Sequence, residues 1–437
     1  MVTASAMDGA LAGAEEADRR AGNAALRKAA WRLLPFIILL YFVSFLDRVN
    51  VGFAALTMNH DLGISAAAYG TGAGIFFLGY FLFEVPSNVI LERVGARRWI
   101  ARIMISWGIL SVAMAFVVGP VSFAFVRFLL GMAEAGFFPG IILYLTFWFP
   151  GTMRARIMGW FLVALPLSSI IGAPFSTWML GTNLLGLRGW QSMFVLEGLP
   201  AILCGLLVWR MLPDRPSDAT WLRSDESAAI ERALANEAAP GGHTTLMLAL
   251  TSGRVWHLAV IYFGIVVGLY GFSFWAPQVI KSFGGLSNQQ VGLVTVIPYL
   301  LAMLGMVGWS WNSDRLGERR WHIAIAAFAG AIGFAASAVT GDPVLKMAAF
   351  TFAAIGIYAT LPVFWTLPTG FLSGTGAAAG IALINAIGNL GGYFGPSVIG
   401  ALKESYGYGA GFLVLAVGLA VAGILALTTP ARAPVRQ

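Results

Sequence analysis

Six ionisable side chains lie inside long apolar stretches of this sequence, where such side chains are rare. They are Asp47, Arg48, Glu84, Arg127, Glu134 and Glu197. An ionisable group in a hydrocarbon environment costs at least about 2.5–3.5 kcal/mol, so these six are the first candidates for a chemical role. The apolar stretches of the second half of the chain hold no ionisable residue at comparable depth. We therefore expect ion chemistry in the first half, and amide and aromatic contacts in the second.

Two acids and two arginines of this group form a formally neutral set. Asp47 and Arg48 are adjacent, whereas Arg127 and Glu134 are seven residues apart and would share one helix face, about 10.5 Å apart along the axis. An anionic ligand would make the set negative, and protonation of one carboxylate would restore the balance. By linkage, proton binding and anion binding would then favour each other. A structural cluster of ion pairs that pins the two helices is the alternative interpretation.

Other polar residues of the apolar stretches are weaker candidates. The neutral ones are Tyr80, Tyr270, Gln278, Trp365, Asn385 and Asn389. Tyr80 and the two asparagines could hydrogen-bond hydroxyl or carboxylate oxygens of a ligand, since buried amides need partners. Tyr270 and Trp365 are expected to pack or to face lipid. We expect Glu84 to be a gate or packing residue near basic inner-loop residues, and Glu197 to be structural.

The composition identifies the environment of these residues. Only 11% of the 437 residues are charged and 58% are hydrophobic, whereas soluble proteins carry about 25% charged and 45–50% apolar residues. This balance excludes a soluble enzyme, a nucleic-acid-binding domain and a disordered scaffold. The apolar runs 75–83 and 412–427 do not alternate with polar residues, which argues against a transmembrane barrel. The sequence therefore predicts an all-α membrane protein in a lipid bilayer.

The helices that cross the bilayer can be located from the apolar windows, because each needs about 20 mostly apolar residues. Twelve spans are predicted, at 33–57, 66–91, 99–118, 121–148, 156–181, 189–212, 254–282, 288–311, 321–341, 343–367, 378–403 and 408–429. The chain is divided into a tail (1–30), a six-helix half (31–212), a linker (213–253), a second six-helix half (254–430) and a short tail (431–437). Ser224 followed by Asp225 and Glu226 indicates the start of a surface helix in the linker.

The distribution of basic residues predicts the orientation. With the amino terminus inside, 21 of the 27 Lys and Arg residues fall in the tails and inner loops and 4 in outer loops. This bias follows the positive-inside rule and places both termini in the cytoplasm. The first apolar run is too long for a cleavable signal peptide. We expect a multi-pass protein of the plasma (inner) membrane.

An internal repeat supports the division into two halves. The segment that begins at Glu92 and ends at Trp99 matches the one from Asp314 to Trp321, and both ends are 222 residues apart. Pro174 and Pro396 have the same spacing. Two parallel six-helix units with a substrate between them are a transporter architecture. The candidate gating residues in the repeated loops are Glu92, Arg93 and Arg97 in the first, and Asp314, Arg315 and Arg319 in the second.

The repeated acidic-Arg-x-Gly-x-Arg-Arg loop resembles the signature loop of the major facilitator superfamily, although Asn88 stands where that superfamily usually has Gly. Three segments, 45–52, 127–140 and 385–392, resemble the first-, fourth- and eleventh-helix motifs of its anion:cation symporter family. The resemblance implies that Asp47 and Glu134 bind protons and that Arg48 pairs with a substrate carboxylate. It also implies that Arg127 links the charged network.

The resemblance also predicts a function. The stretch 166–174 is most similar to the tartrate-type branch, which implies proton-coupled uptake of a small organic carboxylate by alternating access. An aromatic-acid symporter of the phthalate or hydroxyphenylacetate type is the alternative, and a sensor that binds the anion without transport is a rival from another class. No P-loop, metal motif or nucleophile–base pair suggests an enzyme. We expect a monomer, with the proton as coupling ion and no nucleic-acid partner.

Overall fold

A computed structural model of the protein describes residues 2–237, 251–368 and 374–429. The described residues form fourteen α-helices: α1 (Val2–Asp61), α2 (Ala66–Val94), α3 (Ala96–Ala113), α4 (Pro120–Glu134), α5 (Phe137–Thr146), α6 (Gly151–Leu162), α7 (Ala164–Met179), α8 (Gly189–Met211), α9 (Ser224–Glu237), α10 (Gly253–Lys281), α11 (Asn288–Leu316), α12 (Arg320–Val339), α13 (Pro343–Trp365) and α14 (Gly374–Leu427). Helices suit these apolar segments because a helix satisfies its backbone hydrogen bonds internally, as lipid requires.

The helices account for the predicted membrane spans. Eleven stretches of the described residues are long and apolar enough to cross a membrane. The last, Gly380–Leu427, has 48 residues, which is about 72 Å of helix against about 30 Å of hydrocarbon. Inside it Gly407 adopts φ 72° and ψ −177°, which divides the segment into two crossings. The described residues thus provide twelve crossings, and the predicted twelve-helix membrane fold is confirmed.

The boundaries differ from the predicted spans in the first half. Helix α1 begins at Val2, so the segment predicted as a tail, residues 1–30, continues into the first span as one helix from its second residue. Alanine-rich segments favour helix, which explains this continuity. The fourth predicted span is broken after Glu134, where Ala135 has ψ 133° and Gly136 has φ 85°. Only glycine reaches such a positive φ at little cost.

The internal repeat has a structural counterpart in α2 and α11. The side chains of Ser65 and Ser287 cap these helices by accepting hydrogen bonds from backbone N–H groups three residues on. Gly95 and Gly317 end them, with φ values of 96° and 64°. Each pair is 222 residues apart, the spacing of the repeated loop. The same cap chemistry therefore defines the ends of equivalent helices in both halves.

Small residues bring the two halves together at the end of the bundle that carries the α1–α2 loop. A Cβ atom on Gly70 of α2 would collide with the carbonyl oxygen of Pro396 in α14. A Cβ on Gly292 of α11 would lie 2.7 Å from the carbonyl oxygen of Ala173 in α7. Glycine at such positions allows membrane helices to approach closely. The backbones of the halves are therefore in direct contact at this end.

The linker contains the predicted surface helix. Helix α9 begins at Ser224 as expected, and its Glu226 forms a 2.7 Å ion pair with Lys28 of α1. The backbone N–H of Arg223 and the Lys28 ammonium lower the pKa of Glu226. The linker helix is thus attached to the first half of the protein. Linker residues 238–250 and the predicted tail 431–437 lie outside the described residues.

Candidate functional site

Arg48 is the centre of a buried polar cluster between the two halves. Its side chain is 4% exposed and forms an ion pair with Glu134 of α4. The same guanidinium donates a 2.8 Å hydrogen bond to the hydroxyl of Tyr270 in α10. It also lies over the rings of Phe76 and Tyr80, at 5.3 and 5.5 Å. Arg48 therefore joins the charged first half to a neutral hydrogen-bond acceptor, the Tyr270 hydroxyl, of the second.

The break in the fourth span positions the acid of this pair. Glu134 is the last residue of α4, and the chain turns at Gly136 before α5 begins at Phe137. A Cβ atom at Gly136 would collide with the Ser87 hydroxyl of α2, so glycine is also required by packing. The Glu134 carboxylate accepts a 2.7 Å hydrogen bond from Ser44, one helical turn before Arg48. Helix α1 thus supplies both a cation and a hydroxyl to this carboxylate.

A small cavity of about 20 Å³ lies beside Arg48. Both halves line it, with Tyr41, Arg48, Tyr80, Phe138, Leu162, Leu165, Tyr262, Leu269, Tyr270, Leu361, Trp365, Asn385 and Asn389. A volume of this size holds on the order of one water molecule. Six of its thirteen lining residues are aromatic, and one of them, Tyr262, stacks on Phe364 at 5.0 Å and contacts Trp365 edge-on at 5.0 Å. The helices have to separate before a metabolite can enter.

Most of the predicted ligand-binding residues meet at this cavity. Arg48, Tyr80, Asn385 and Asn389 line it together, although they come from α1, α2 and α14. Asn385 also donates a 2.5 Å hydrogen bond to Glu84 of α2, which is fully buried. Glu84, predicted as a gate or packing residue near basic inner-loop residues, thus lies against an amide of the opposite half. Its role as a gate or packing residue stays a prediction.

Asp47 and Arg127 are buried but lie away from the cavity. Consecutive helix residues point about 100° apart, and here Asp47 faces α3 while Arg48 lines the cavity. Its carboxylate accepts hydrogen bonds from the Trp107 indole at 2.7 Å and the Ser111 hydroxyl at 3.2 Å, both on α3. Arg127 donates to the Ala73 carbonyl at 3.0 Å. The expected four-residue network is thus divided into one ion pair and two separate groups.

Two further residues are placed elsewhere. Glu197 of α8 is fully buried and accepts a 2.5 Å hydrogen bond from Ser176 of α7, within the first half. Gln278 does not line the cavity. Arg127 reaches the other half through an aromatic contact, because its guanidinium lies 5.0 Å from the ring of Phe76 and 5.5 Å from that of Phe274 in α10.

The repeated loops differ in the ion pairs of their predicted gating residues. In the second loop, Arg319 pairs with Asp314 at 2.6 Å, and Arg315 lies 5.7 Å over the Trp311 ring. In the first loop, Glu92 and Arg93 are exposed, and Glu92 has no ion pair within the described residues. The backbone N–H of Arg97 donates instead to Asp214 of the linker at 2.8 Å, with the two side chains 3.9 Å apart.

Aromatic residues contribute more to the site than the sequence predicted. Tyr270 and Trp365 were expected to pack or face lipid, yet both line the cavity and Tyr270 binds Arg48. A signal for Tyr270 was present in the sequence, because it lies 222 residues after Arg48, the spacing of the repeat. Tyr41 and Tyr262 carry no comparable signal, since a tyrosine in an apolar helix usually packs.

Twelve membrane-crossing helices in two repeats, with a polar cavity between the repeats, define a membrane transporter. The sequence profile described as Major Facilitator Superfamily matches residues 37–381 and 279–437. The chain therefore belongs to the Major Facilitator Superfamily, and it is a transporter rather than an enzyme.

Relatives and solved structures agree with this assignment. A protein of Agrobacterium vitis named "Putative tartrate transporter" is 52% identical over 413 residues, which are 94% of this chain and 95% of that protein. The "Quinolone resistance transporter" of Acinetobacter baumannii is 43% identical over 386 residues, covering 87% and 89% of the two chains. A crystal structure of a D-xylose–proton symporter matches with a TM-score of 0.72 at 16% identity, covering 91% and 97%. At that identity the structure supports the fold alone.

Proposed function

We propose that the protein takes up a small organic carboxylate together with protons, by alternating access between its two halves. The observation that carries this proposal is the buried Arg48–Glu134 pair beside a cavity that both halves line. An arginine fork suits a carboxylate because it donates two parallel hydrogen bonds. Arg48 already donates to one carboxylate, so a second one from a substrate would compete with Glu134 for it.

Competition between the substrate and Glu134 for Arg48 gives a physical route to the coupling of substrate binding and proton binding. When a substrate carboxylate takes Arg48, an ionised Glu134 would remain buried without its cation, which costs about 3–5 kcal/mol. Protonation of Glu134 removes that charge, and Ser44 can still hydrogen-bond to the neutral acid. Substrate and proton therefore bind together more favourably than either alone. Asp47 is the second predicted proton site, and it would act from its position against α3.

The closed cavity supports alternating access. At about 20 Å³ it is too small for a metabolite, while direct backbone contacts close the interface at the α1–α2 loop end. Entry of a substrate requires the halves to move apart, which breaks the hydrogen bond between Arg48 and Tyr270. A substrate that replaces this bond offsets the cost of opening. Three further residues would stabilise one or other state of the alternating-access cycle, namely Arg127, Asp314 and Arg319.

Two substrate classes have support. The relative at 52% identity, whose name refers to tartrate, favours a small hydroxy-carboxylate, and the Asn385 and Asn389 amides could bind its hydroxyl groups. An aromatic acid is the second candidate, since tyrosine, phenylalanine and tryptophan rings surround Arg48 and a relative at 43% identity is named for quinolone resistance. We place the protein in the plasma membrane as a monomer with both termini in the cytoplasm.

Uptake into proteoliposomes tests the proposal. Purified protein is reconstituted and offered a panel of labelled hydroxy-carboxylates and aromatic carboxylates, with and without an inward proton gradient. We expect one class to accumulate above its external concentration only when the gradient is present. Empty liposomes and a protonophore are the controls. Binding of an acid without accumulation under any gradient would overturn transport in favour of an anion sensor.

A further inference from the structure

We propose that Glu84 is an additional proton-binding group of the central site, coupled to the substrate through Asn385. This inference rests on the proposed function and adds a coupled proton site to the two proposed at Glu134 and Asp47. Glu84 belongs to α2 in the first half and Asn385 to α14 in the second. Their hydrogen bond therefore crosses the interface that must open and close during transport.

The Glu84 carboxyl group is buried with half of its hydrogen-bonding capacity unused. Oε1 accepts the 2.5 Å hydrogen bond from the Asn385 amide, whereas Oε2 is buried and has no partner among the residues that the structure describes. No ion pair of Glu84 is formed within the described residues. A buried carboxylate in this state is costly when ionised, because one neutral amide replaces its hydration. Protonated, it needs only an acceptor for its O–H.

The charged and titratable groups around Glu84 do not supply a counter-ion of its own. Arg48 of α1 is the cation near it, and that guanidinium is committed to Glu134. Tyr80 on the same helix and Tyr262 of α10 are neutral phenols that also face it. One cation thus serves two buried carboxylates. Binding of a substrate anion to Arg48 adds a third negative charge to the same cation, and a proton on Glu84 offsets that charge.

Asn385 connects this carboxyl group to the cavity. Its side chain lines the cavity while its amide donates to Glu84, so a bound substrate and Glu84 compete for the same N–H groups. An ionised carboxylate holds such a donor about twice as strongly as a neutral acid does. Protonation of Glu84 therefore releases Asn385 toward the substrate. Glu84 is a positioning residue in this scheme, because it acts through the amide.

The transport cycle follows from the location of the bond. When the substrate arrives, Glu84 takes a proton from the side of the membrane to which the cavity is open. The Oε2 atom then carries this proton as an O–H group. After the halves have moved, the substrate leaves and Asn385 is free to donate to Glu84 again. That hydrogen bond favours the ionised form, so the proton is released to the other side. One proton binds at Glu84 and one leaves in each cycle.

The test is the number of protons transported per substrate, measured in proteoliposomes from the membrane potential that stops net uptake at a fixed pH gradient. Glu84→Gln is isosteric with the protonated acid, and its amide oxygen still accepts from Asn385. We expect this variant to exchange labelled for unlabelled substrate while the stoichiometry falls by about one proton. The matched control is Glu197→Gln, an equally buried glutamate within one half, whose stoichiometry should equal that of the wild type.

The outcomes separate this inference from the proposed function. A wild type that shows no proton-driven uptake overturns both. Proton-driven uptake with equal stoichiometry in the wild type and Glu84→Gln overturns only the role of Glu84, and leaves it as a structural tether. If Glu84→Gln fails to exchange, Asn385→Ala replaces it, since this variant keeps the acid but removes the connecting amide. A stoichiometry reduced by about one supports the inference, and an unchanged one overturns it.

Discussion

The two halves of the protein have matching helices but different interiors. Helices α2 and α11 begin after equivalent serines and end before equivalent glycines. All six buried Asp, Glu and Arg side chains belong to the first half, whereas the described residues of the second half bury none. There, the polar groups at the cavity are tyrosine hydroxyls, a tryptophan indole and asparagine amides.

This difference shows how a duplicated fold can divide its tasks. The ends of the helices depend on capping chemistry, which both copies retain, so the scaffold stays the same. The interior depends on what each half must bind, and among the described residues only the first half buries Asp, Glu and Arg side chains. We expect the first half to determine whether the substrate is an anion and whether protons accompany it. The second half should determine which anion fits.

The largest effect is expected from Arg48→Ala, which would remove the ion chemistry of the first half. Glu134 would be left buried without its cation, at a cost of about 3–5 kcal/mol, so uptake should fall at least about 100-fold. Initial uptake rates of purified, reconstituted protein measure this. Arg48→Lys should also fail, because an ammonium cannot replace the fork that contacts Glu134 and Tyr270 together. Uptake close to wild type in Arg48→Lys would contradict the role of the fork.

Glu134→Gln weakens the coupling of transport to its driving force. The amide mimics the protonated acid, so substrate exchange should continue, while the number of protons transported per substrate should fall by about one and accumulation should fall with it. Counterflow and net uptake in the same proteoliposomes distinguish the two activities. A proton stoichiometry in this variant equal to that of the wild type would show that Glu134 is not a coupling residue.

Tyr270→Phe tests the contribution of the second half. The substitution removes one hydrogen bond to a charged group, worth about 1.5–3 kcal/mol, and leaves the ring in place. We expect KM to fall by up to about tenfold with proton stoichiometry unchanged, because this bond no longer has to break before the substrate binds. Tyr358→Phe in α13 is the control, because Tyr358 is equally buried but does not line the cavity. A change in stoichiometry in Tyr270→Phe would assign ion handling to the second half as well.

The smallest effect is expected from Asp314→Asn in the second repeated loop. The Asp314 side chain is 63% exposed, so its 2.6 Å ion pair with Arg319 is worth at most about 1 kcal/mol. Uptake should change by less than about fivefold, and Tm by a few degrees at most. Arg97→Gln in the first loop is the counterpart. A loss of transport in Asp314→Asn alone would show that the loops, too, have different tasks.

The repeat, the helical class and the burial of charge in one half could all be predicted from the sequence, because each depends on local composition or on a fixed spacing. The break after Glu134 was missed, since Gly136 lies in an apolar run that resembles a continuous helix. The contact between Glu84 and Asn385 was also missed. It depends on which faces of α2 and α14 meet, and these residues are 301 positions apart.

The separation of Asp47 from Arg48 is a different kind of error. Helix geometry places adjacent side chains about 100° apart, and in α1 this turns Asp47 toward α3 while Arg48 lines the cavity. The cluster of four charges was inferred from their formal neutrality, which does not depend on the direction in which each side chain points. Burial of Asp47 against Trp107 and Ser111 shows that hydrogen bonds from neutral groups can replace an ion pair.

Arg48 and Tyr270 occupy equivalent positions of the two repeats, 222 residues apart, and they touch. Two groups related by a two-fold rotation can touch only when both lie next to the rotation axis. The pseudo-symmetry axis therefore passes between this guanidinium and this phenol. When two rigid bodies rock against each other about such a centre, the points nearest to it travel the shortest distance. A ligand held there would stay almost stationary while access to it changes from one side of the membrane to the other.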